Sequence, residues 1–264
     1  MTTRTAPQRT TTAVALSGVT KVYGRGDNAV LALDGVDLDV RAGEFVCLVG
    51  ASGCGKSTLL NLVAGLDQVT SGAVQLTGDS LDGPAVRPGF MFQEPALFPW
   101  LTVAANIEVP LKLRGLARAD RRAQVAELLE TVHLTGFGRH RPHELSGGMR
   151  QRVALARTLA LDTPVLLMDE PFGALDAMTR DLLHDELERI WSQRRLTVLF
   201  VTHNVREAAR LADRIVLLSS RPGRIIHDTR VDVPRPRRID SPEIAAIAAE
   251  VTDRLRTEVG RHGQ

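Results

Sequence analysis

A glycine-rich stretch constrains the fold of this chain more than any other feature. It consists of Gly50, Ala51, Ser52, Gly53, Cys54, Gly55, Lys56, Ser57 and Thr58. The apolar run 45–49 before it is typical of a buried parallel strand, and the apolar run 59–64 after it is typical of a helix. The stretch matches the phosphate-binding pattern G-x-x-x-x-G-K-[ST], which requires this strand and helix on either side. We therefore expect a P-loop within an α/β fold.

The residue types of this stretch suit the binding of a nucleoside triphosphate. The glycines at 50, 53 and 55 let the backbone close around a phosphate, in conformations that are costly for other residues. The helix N-terminus adds a partial positive charge at the same place. Lys56 can reach the β- and γ-phosphates, and the hydroxyl of Ser57 can ligate Mg²⁺.

A second magnesium ligand is expected at the end of a neighbouring strand. The apolar run 165–168 predicts a strand, and Asp169 stands at its carboxyl end, where ligands sit in open α/β sheets. Glu170 follows directly and can accept a proton from an attacking water, as a general base does.

A third feature is a helix start that follows a hydroxyl and two glycines. Ser146, Gly147 and Gly148 precede a predicted helix that continues to about Leu161. Backbone N–H groups at such a start form an anion site. Taken alone, these residues are better explained as a capped helix with a flexible entry. Since the P-loop already binds the phosphates, an anion site here needs another target.

Composition and charge disfavour several classes of protein, namely nucleic-acid-binding, disulfide-rich, secreted and membrane-spanning ones. The 264 residues have a net charge of +2, which does not favour nucleic acid, and the two cysteines indicate no disulfide framework. Met1–Thr12 lacks an apolar core and is expected to be a flexible tail, not a signal peptide. No apolar run approaches the roughly 18 residues that span a bilayer, so a membrane role would need a partner.

The remaining pattern divides the chain into regions. Short strands are expected between Ala13 and Val40, helices dominate from about 99 to 160, and strand patterns return at 165–168, 197–201 and 215–218. We expect an ATPase domain over 13–225 and a C-terminal extension over 226–264. That extension reads as a basic linker, 233–238, followed by a short amphipathic helix.

Several of these residues together resemble the ATP-binding-cassette (ABC) ATPases. The resemblance covers about 13–224 and rests on the following residues in this order: Tyr23, Gly50–Thr58, Gln93, Leu145–Arg152, Asp169–Pro171, Ala174–Asp176 and His203. It implies a P-loop NTPase with a mainly parallel core sheet, an N-terminal antiparallel β subdomain and a helical insertion. It also implies ATP and Mg²⁺ as cofactors, and ATP hydrolysis coupled to transport.

The resemblance further implies roles for single residues. Two copies would pack head to tail, so that Ser146, Gly147 and Gly148 of one meet the γ-phosphate held by Lys56 of the other. Tyr23 would stack on adenine, although a half-buried strand tyrosine is the plainer interpretation. Gln93 would contact Mg²⁺ and the water and move with the helical insertion. His203 would hydrogen-bond the γ-phosphate. Asp176 would help to communicate the nucleotide state of one site to the other.

Three stretches resemble the ATPase subunits of nitrate, sulfonate and taurine importers more closely: 93–103, 169–180 and 219–225. Such subunits lie at the cytoplasmic face of the inner membrane, with two permease subunits and, indirectly, an extracytoplasmic solute-binding protein. Two positions depart from the commonest family pattern. Position 149 is Met in place of Gln, and position 204 is Asn in place of Asp.

Two other classes stay open on the residues alone. A non-transport ABC ATPase would act on nucleic acid, the ribosome or a division complex, and the near-zero charge and single cassette disfavour it. A P-loop kinase acting on a small molecule would leave Ser146–Gly148 without a purpose.

Overall fold

The computed structural model describes residues 11–76, 87–173 and 175–262. Ala174 lies outside the described residues, as does the predicted tail up to position 10; Thr12 already belongs to a strand. Within the described ranges, no helix has both the length and the apolar character needed to cross a bilayer.

A three-stranded antiparallel sheet forms one layer. Its strands are β1 (Thr12–Tyr23), β2 (Val30–Arg41) and β4 (Ser71–Leu76), in the order β2-β1-β4. The predicted short strands between Ala13 and Val40 are thus two long ones of 12 residues each. Register shifts, one of them spanning Gly18, interrupt the alternation along β1 and hide its length from a pattern search.

A six-stranded sheet forms the centre of the molecule. Its strands are β3 (Phe45–Val49), β5 (Gly89–Met91), β6 (Val165–Asp169), β7 (Thr197–Val201), β8 (Arg214–Leu218) and β9 (Ile225–Arg230), in the order β5-β6-β7-β3-β8-β9. All pairs are parallel except β8–β9. Every residue of β3 is buried, because successive side chains enter the two separate cores on either face. The predicted parallel strands are confirmed.

Seven helices are described around the two sheets. They are α1 (Lys56–Val63), α2 (Val103–Leu113), α3 (Arg118–Thr131), α4 (Gly147–Leu159), α5 (Ala177–Arg194), α6 (Val205–Leu211) and α7 (Pro242–His262). The first of them follows the P-loop, and α2 to α4 form the predicted helical insertion between β5 and β6. The apolar face of α3 is buried at Val125, Leu128 and Leu129.

The C-terminal region differs from the prediction. Ile225 begins β9, so residues 226–230 complete the core sheet and do not belong to an appended extension. The final helix spans 21 residues and is not short. It buries Ile244, Ala248 and Val251 in the main core.

The predicted basic linker is also bound to the domain. Arg237 is buried and donates to backbone carbonyls, among them that of Ala212 at the end of α6. Arg235 forms ion pairs with Glu188 and Asp213. Carbonyls at a helix end lack intrahelical partners, and these guanidinium groups supply them.

Candidate functional site

The P-loop closes around the start of α1. Gly53 and Gly55 have φ values of 74° and 102°, so the expectation of an unusual backbone is correct at these two positions. Gly55 is the residue that precedes α1. A Cβ atom there would also lie 2.9 Å from the carbonyl oxygen of Ala32, so space and conformation both require glycine.

Gly50 requires a different explanation. It is not among the described glycines at positive φ, so the prediction of a costly conformation is wrong at this position. A Cβ atom on Gly50 would lie 2.7 Å from the sulfur of the buried Cys54 and 3.1 Å from the carbonyl oxygen of Leu218. Close packing of the loop against β8, not backbone strain, requires a glycine here.

Lys56 lies inside the loop. Its side chain is buried, and Nζ donates to the carbonyl oxygens of Gly50 and Ala51, each at 2.9 Å. The Lys56 ammonium group is thus bonded to neutral carbonyls. An anion bound in the loop would form stronger, charge-assisted hydrogen bonds with it.

Ser57 and Asp169 meet although 112 positions separate them in the sequence. The Ser57 hydroxyl donates to Asp169 Oδ1 at 3.1 Å, because α1 begins beside the carboxyl end of β6. Burial raises the pKa of Asp169, and the hydrogen bond from Ser57 opposes that effect. Among the described residues, no group of three or more His, Cys, Asp or Glu side chains could hold a metal alone. A hydroxyl and one carboxylate suit Mg²⁺ that takes its other ligands from phosphate and water.

Glu170 and His203 form a second polar pair beside the first. Glu170 Oε2 lies 2.9 Å from His203 Nδ1. The backbone of Glu170 has a φ of 44°, uncommon for this residue type, and its N–H donates to the carbonyl of Val201 at 3.0 Å. Unusual backbone of this kind clusters at functional sites.

Lys56, Ser57 and Glu170 line one cleft of about 460 Å³. Asp169 and His203 are not part of that lining and adjoin it through their contacts with Ser57 and Glu170. Tyr23 lies in its wall, 41% exposed, and its hydroxyl donates to Asp67 Oδ2 at 2.9 Å. The cleft is lined by Tyr23, Val30, Ala32, Ser52, Gly53, Gly55, Lys56, Ser57, Thr58, Glu170 and Arg221. An apolar and aromatic wall beside a cationic loop suits a nucleotide with its base at one end and its phosphates at the other.

Gln93 is placed outside that lining. Its side chain is exposed, and its carbonyl oxygen accepts from Gln151 Nε2 of α4 at 2.8 Å. Arg157, also of α4, donates to the carbonyls of Pro95 and Ala96. The segment after β5 is thus attached to the helical insertion.

Ser146, Gly147 and Gly148 also lie away from the cleft of their own chain. Ser146 caps α4 by accepting from the N–H of Met149 at 3.2 Å. A Cβ atom on Gly148 would lie 2.8 Å from the Thr179 methyl group, so this helix start abuts the beginning of α5. Asp176 caps α5 through the N–H of Thr179, which lowers its pKa.

A family model described as ABC transporter matches residues 33–173. The chain belongs to the ABC transporter family. An uncharacterised ABC transporter ATP-binding protein of Methanocaldococcus jannaschii is 45% identical over 92% of this chain and 91% of its own length. The aliphatic sulfonates import ATP-binding protein SsuB of Bacillus licheniformis is 46% identical over 90% and 92%, respectively. The nitrate import ATP-binding protein NrtD of Synechocystis is 46% identical over 83% and 82%.

Solved structures agree with this assignment. The ATP-binding cassette MJ0796, described as dimeric and bound to ADP and Pi after hydrolysis, has a TM-score of 0.73 at 35% identity, over 84% of this chain and 100% of its own. A second dimeric structure of that cassette has a TM-score of 0.75. The ABC ATPase fold expected from the sequence is confirmed, and the chain is an ATPase.

The structure also explains the two departures from the common ABC pattern. Asn204 caps α6 by accepting from the N–H groups of Arg206 and Glu207, a role an aspartate fills equally well. Met149 is partly buried and packs against the main core, so its thioether fills space where a glutamine would supply an amide.

The sequence patterns give no role to two residues at the cleft of this ABC ATPase. Asp67 follows α1 and holds Tyr23, and Arg221 belongs to the stretch 219–225 that supports the finer resemblance. The contact of Asp67 with Tyr23 and that of Arg221 with Gly53 each join positions far apart in the sequence, and a P-loop motif predicts neither. The sequence signal for Arg221 is its position directly before Pro222 and Gly223, which are typical of a turn.

Proposed function

We propose that this ABC ATPase powers the import of a small anionic or zwitterionic solute, namely nitrate, an aliphatic sulfonate or taurine. The similarity to SsuB and NrtD at 46% identity supports an importer subunit, as do the stretches 93–103 and 219–225. The cleft in which Lys56 and Ser57 lie beside Asp169 and Glu170 is the observation that carries the proposal. The chain would work at the cytoplasmic face of the inner membrane, bound to two permease subunits, with an extracytoplasmic solute-binding protein upstream.

Different residues in and beside the cleft would bind the phosphates, the adenine and Mg²⁺. Lys56 and the N–H groups of Gly50–Thr58 bind the phosphates, and Tyr23 stacks on the adenine. Ser57, Asp169 and Gln93 would hold Mg²⁺, which neutralises phosphate charge when bound.

Hydrolysis requires a base near the terminal phosphate. Glu170 accepts the proton of the attacking water, while His203, hydrogen-bonded to Glu170, donates to the γ-phosphate. The contact between these two side chains keeps both at the end of the parallel strands, where the water must be placed.

A second copy completes the site. Ser146, Gly147 and Gly148 lie outside the cleft of their own chain, so their backbone N–H groups are available to a γ-phosphate held by the partner. Asp176, which caps the adjacent α5, would communicate the nucleotide state of one site to the other. The dimeric state of the cassette MJ0796 supports this arrangement.

Closure of the dimer would then move the helical insertion. The hydrogen bond between Gln93 and Gln151 and the contacts of Arg157 join the segment after β5 to α4. In that segment Phe98 and Trp100 are exposed, Trp100 at 69%. We assign this apolar surface to the cytoplasmic loop of a permease subunit, since apolar side chains that face solvent commonly mark interfaces.

The rival class is a soluble ABC ATPase that acts on nucleic acid, the ribosome or a division complex. The similarity to importer subunits favours transport. Co-purification separates the two: transport predicts membrane proteins extracted by detergent, whereas the rival predicts nucleic acid that salt removes.

Uptake in cells tests the proposal. A strain that lacks this chain should lose energised uptake of labelled nitrate, an alkanesulfonate or taurine, and the wild-type chain should restore it. Glu170→Gln should not restore uptake, and the purified variant should hydrolyse ATP at least about 100-fold more slowly while it retains ATP in a dimer. Glu250→Gln, on the exposed face of α7, is the matched control and should restore uptake fully. Unchanged uptake of all three solutes would refute the importer proposal, and hydrolysis at the wild-type rate by Glu170→Gln would refute the base.

A further inference from the structure

The turn between β8 and β9 is hydrogen-bonded to β2 and touches the P-loop. The N–H of Gly223 donates to the carbonyl of Ala32 at 2.9 Å, and the carbonyl of Gly223 accepts from Asp34 at 3.1 Å. A Cβ atom on Gly223 would lie 2.2 Å from the carbonyl oxygen of Cys54, so the turn touches the P-loop itself. These contacts fix the turn relative to the phosphate-binding backbone.

Further bonds within and around the turn restrict it. The Ser219 hydroxyl donates to the carbonyl of Pro222 at 2.7 Å and accepts from the N–H of Arg224 at 2.9 Å. The N–H of Ser220 donates to Glu258 of α7 at 3.2 Å. The final helix therefore supports a turn that reaches the nucleotide cleft.

Arg221 is the residue that this turn presents to the cleft. Its Nε and Nη2 both lie 3.3 Å from the single carbonyl oxygen of Gly53, which is long for a hydrogen bond to a guanidinium group. Within the described ranges, no carboxylate lies within ion-pair distance of Arg221, whereas Arg224 in the same turn is paired with Asp34. The side chain is exposed and lines the cleft.

The charges of the cleft show what such a side chain can bind. The lining residues with a formal charge are Lys56, Glu170 and Arg221. A guanidinium group that shares one neutral carbonyl gains shorter, charge-assisted hydrogen bonds when a phosphate oxygen replaces that carbonyl.

We propose that Arg221 is a phosphate ligand of the nucleotide. It would be a second cation beside Lys56, supplied by the turn between β8 and β9. The inference rests on the proposed nucleotide site and adds to it a residue outside the P-loop motif. The contact with Gly53 holds the guanidinium at the loop until the polyphosphate takes its place. Arg221 would bind the phosphate chain of the nucleotide and not its base.

Nucleotide titration of the isolated full-length chain tests this. Mant-labelled ATP, mant-labelled ADP and unlabelled adenosine are titrated without Mg²⁺, at a protein concentration where the chain is monomeric. Arg221→Ala should bind both mant nucleotides about 10- to 100-fold more weakly and adenosine unchanged. Arg221→Lys should lose less, because it keeps the charge but not the fork of donors. Arg230→Ala, an exposed arginine at the far end of β9, is the matched control and should bind as the wild type does.

The outcomes separate this inference from the function on which it rests. Wild-type affinity for mant-ADP in Arg221→Ala would overturn the inference and leave the nucleotide site intact. Unchanged affinity combined with weaker dimerisation would also overturn it, since Arg221 would then serve the contact between copies. Failure of the wild-type chain to bind either mant nucleotide would overturn both.

Discussion

Asp67, which follows α1, holds the proposed adenine-stacking residue at the end of β1. Its carboxylate accepts from Tyr23 at 2.9 Å and from Nζ of the buried Lys21 at 2.6 Å. Lys21 also lies 4.7 Å from the centre of the Tyr23 ring. The hydrogen bond from Lys21 is the main reason that the pKa of Asp67 is lowered. Two side chains, Asp67 and Lys21, thus fix the position of the Tyr23 ring in the wall of the cleft.

Asp67→Ala should weaken mant-ATP binding about two- to tenfold, because Tyr23 loses its anchor. Since the folded-state pKa of Asp67 is lowered, the stabilisation it supplies is present above the ordinary aspartate pKa of about 3.8 and is lost as the pH falls through the lowered value. Urea midpoints of variant and wild type should therefore differ at pH 7 and converge towards pH 3. Asp27→Ala, in the exposed turn Gly26–Asn28, is the control. A difference between midpoints that is the same at both pH values would contradict the role of the charge.

At this scale the sequence predicted the residues of compact motifs and missed their distant partners. Lys56 and Ser57 lie where the P-loop pattern predicts. Asp169 meets Ser57, but its strand β6 is not the direct neighbour of β3 that the sequence predicted, because β7 lies between them. The contacts of Asp67 with Tyr23 and of Arg221 with Gly53 join positions 44 and 168 residues apart. Such contacts depend on how the two sheets and the final turn pack together, and local periodicity carries no information about that.

Two helices meet through a buried polar network next to His203. His184 of α5 lies 2.6 Å from Glu207 Oε1 of α6, and Arg210 donates to His184 Nδ1 at 3.2 Å. The other oxygen of Glu207 accepts from Thr202, which immediately precedes His203. His184 is fully buried, and its ring packs edge-on against Phe172. This network joins the helix that Asp176 caps to the strand end that carries His203.

Glu207→Ala should destabilise the fold by about 3 kcal/mol, because it leaves the buried His184 and Thr202 without their carboxylate partner. Urea unfolding followed by circular dichroism measures the loss. Glu130→Ala, at the exposed end of α3, should change the free energy of unfolding by less than about 0.5 kcal/mol. Equal midpoints for Glu207→Ala and the wild type would show that the network contributes nothing to stability.

Elements were predicted best where periodicity is strong. The buried strands β3, β6 and β7 follow from runs of apolar residues. The region after residue 225 was misread, because Pro and Arg in sequence are typical of a solvated linker. Folding instead places Arg235 and Arg237 against carboxylates and helix-end carbonyls that other parts of the chain supply.

At the scale of the whole molecule, the two halves of the proposed site do not meet within one chain. The cleft contains the P-loop and Glu170, while the start of α4 lies elsewhere, beside the start of α5. The proposed head-to-tail pair would bring each half to its complement. The residue pattern alone does not predict the dimer. The expectation of a dimer comes from the family resemblance and not from any periodicity.

The most direct test of this two-copy site is a mixing experiment. Lys56→Ala removes the phosphate-binding lysine, and Gly147→Asp places a carboxylate where the partner's γ-phosphate is expected. A side chain at Gly147 meets only the far end of Arg150, at 3.9 Å, and an acidic residue suits a helix N-terminus, so this variant should fold.

Each variant alone should hydrolyse ATP at least about 100-fold more slowly than the wild type. An equal mixture should recover about a quarter of the wild-type rate, because half of the dimers contain one complete site. The steady-state ATPase rate of that mixture, against each variant at the same total concentration, is the deciding measurement. Recovery to about that level is what a site shared between two copies predicts. A mixture no faster than its separate components, or Gly147→Asp alone at the wild-type rate, would contradict it.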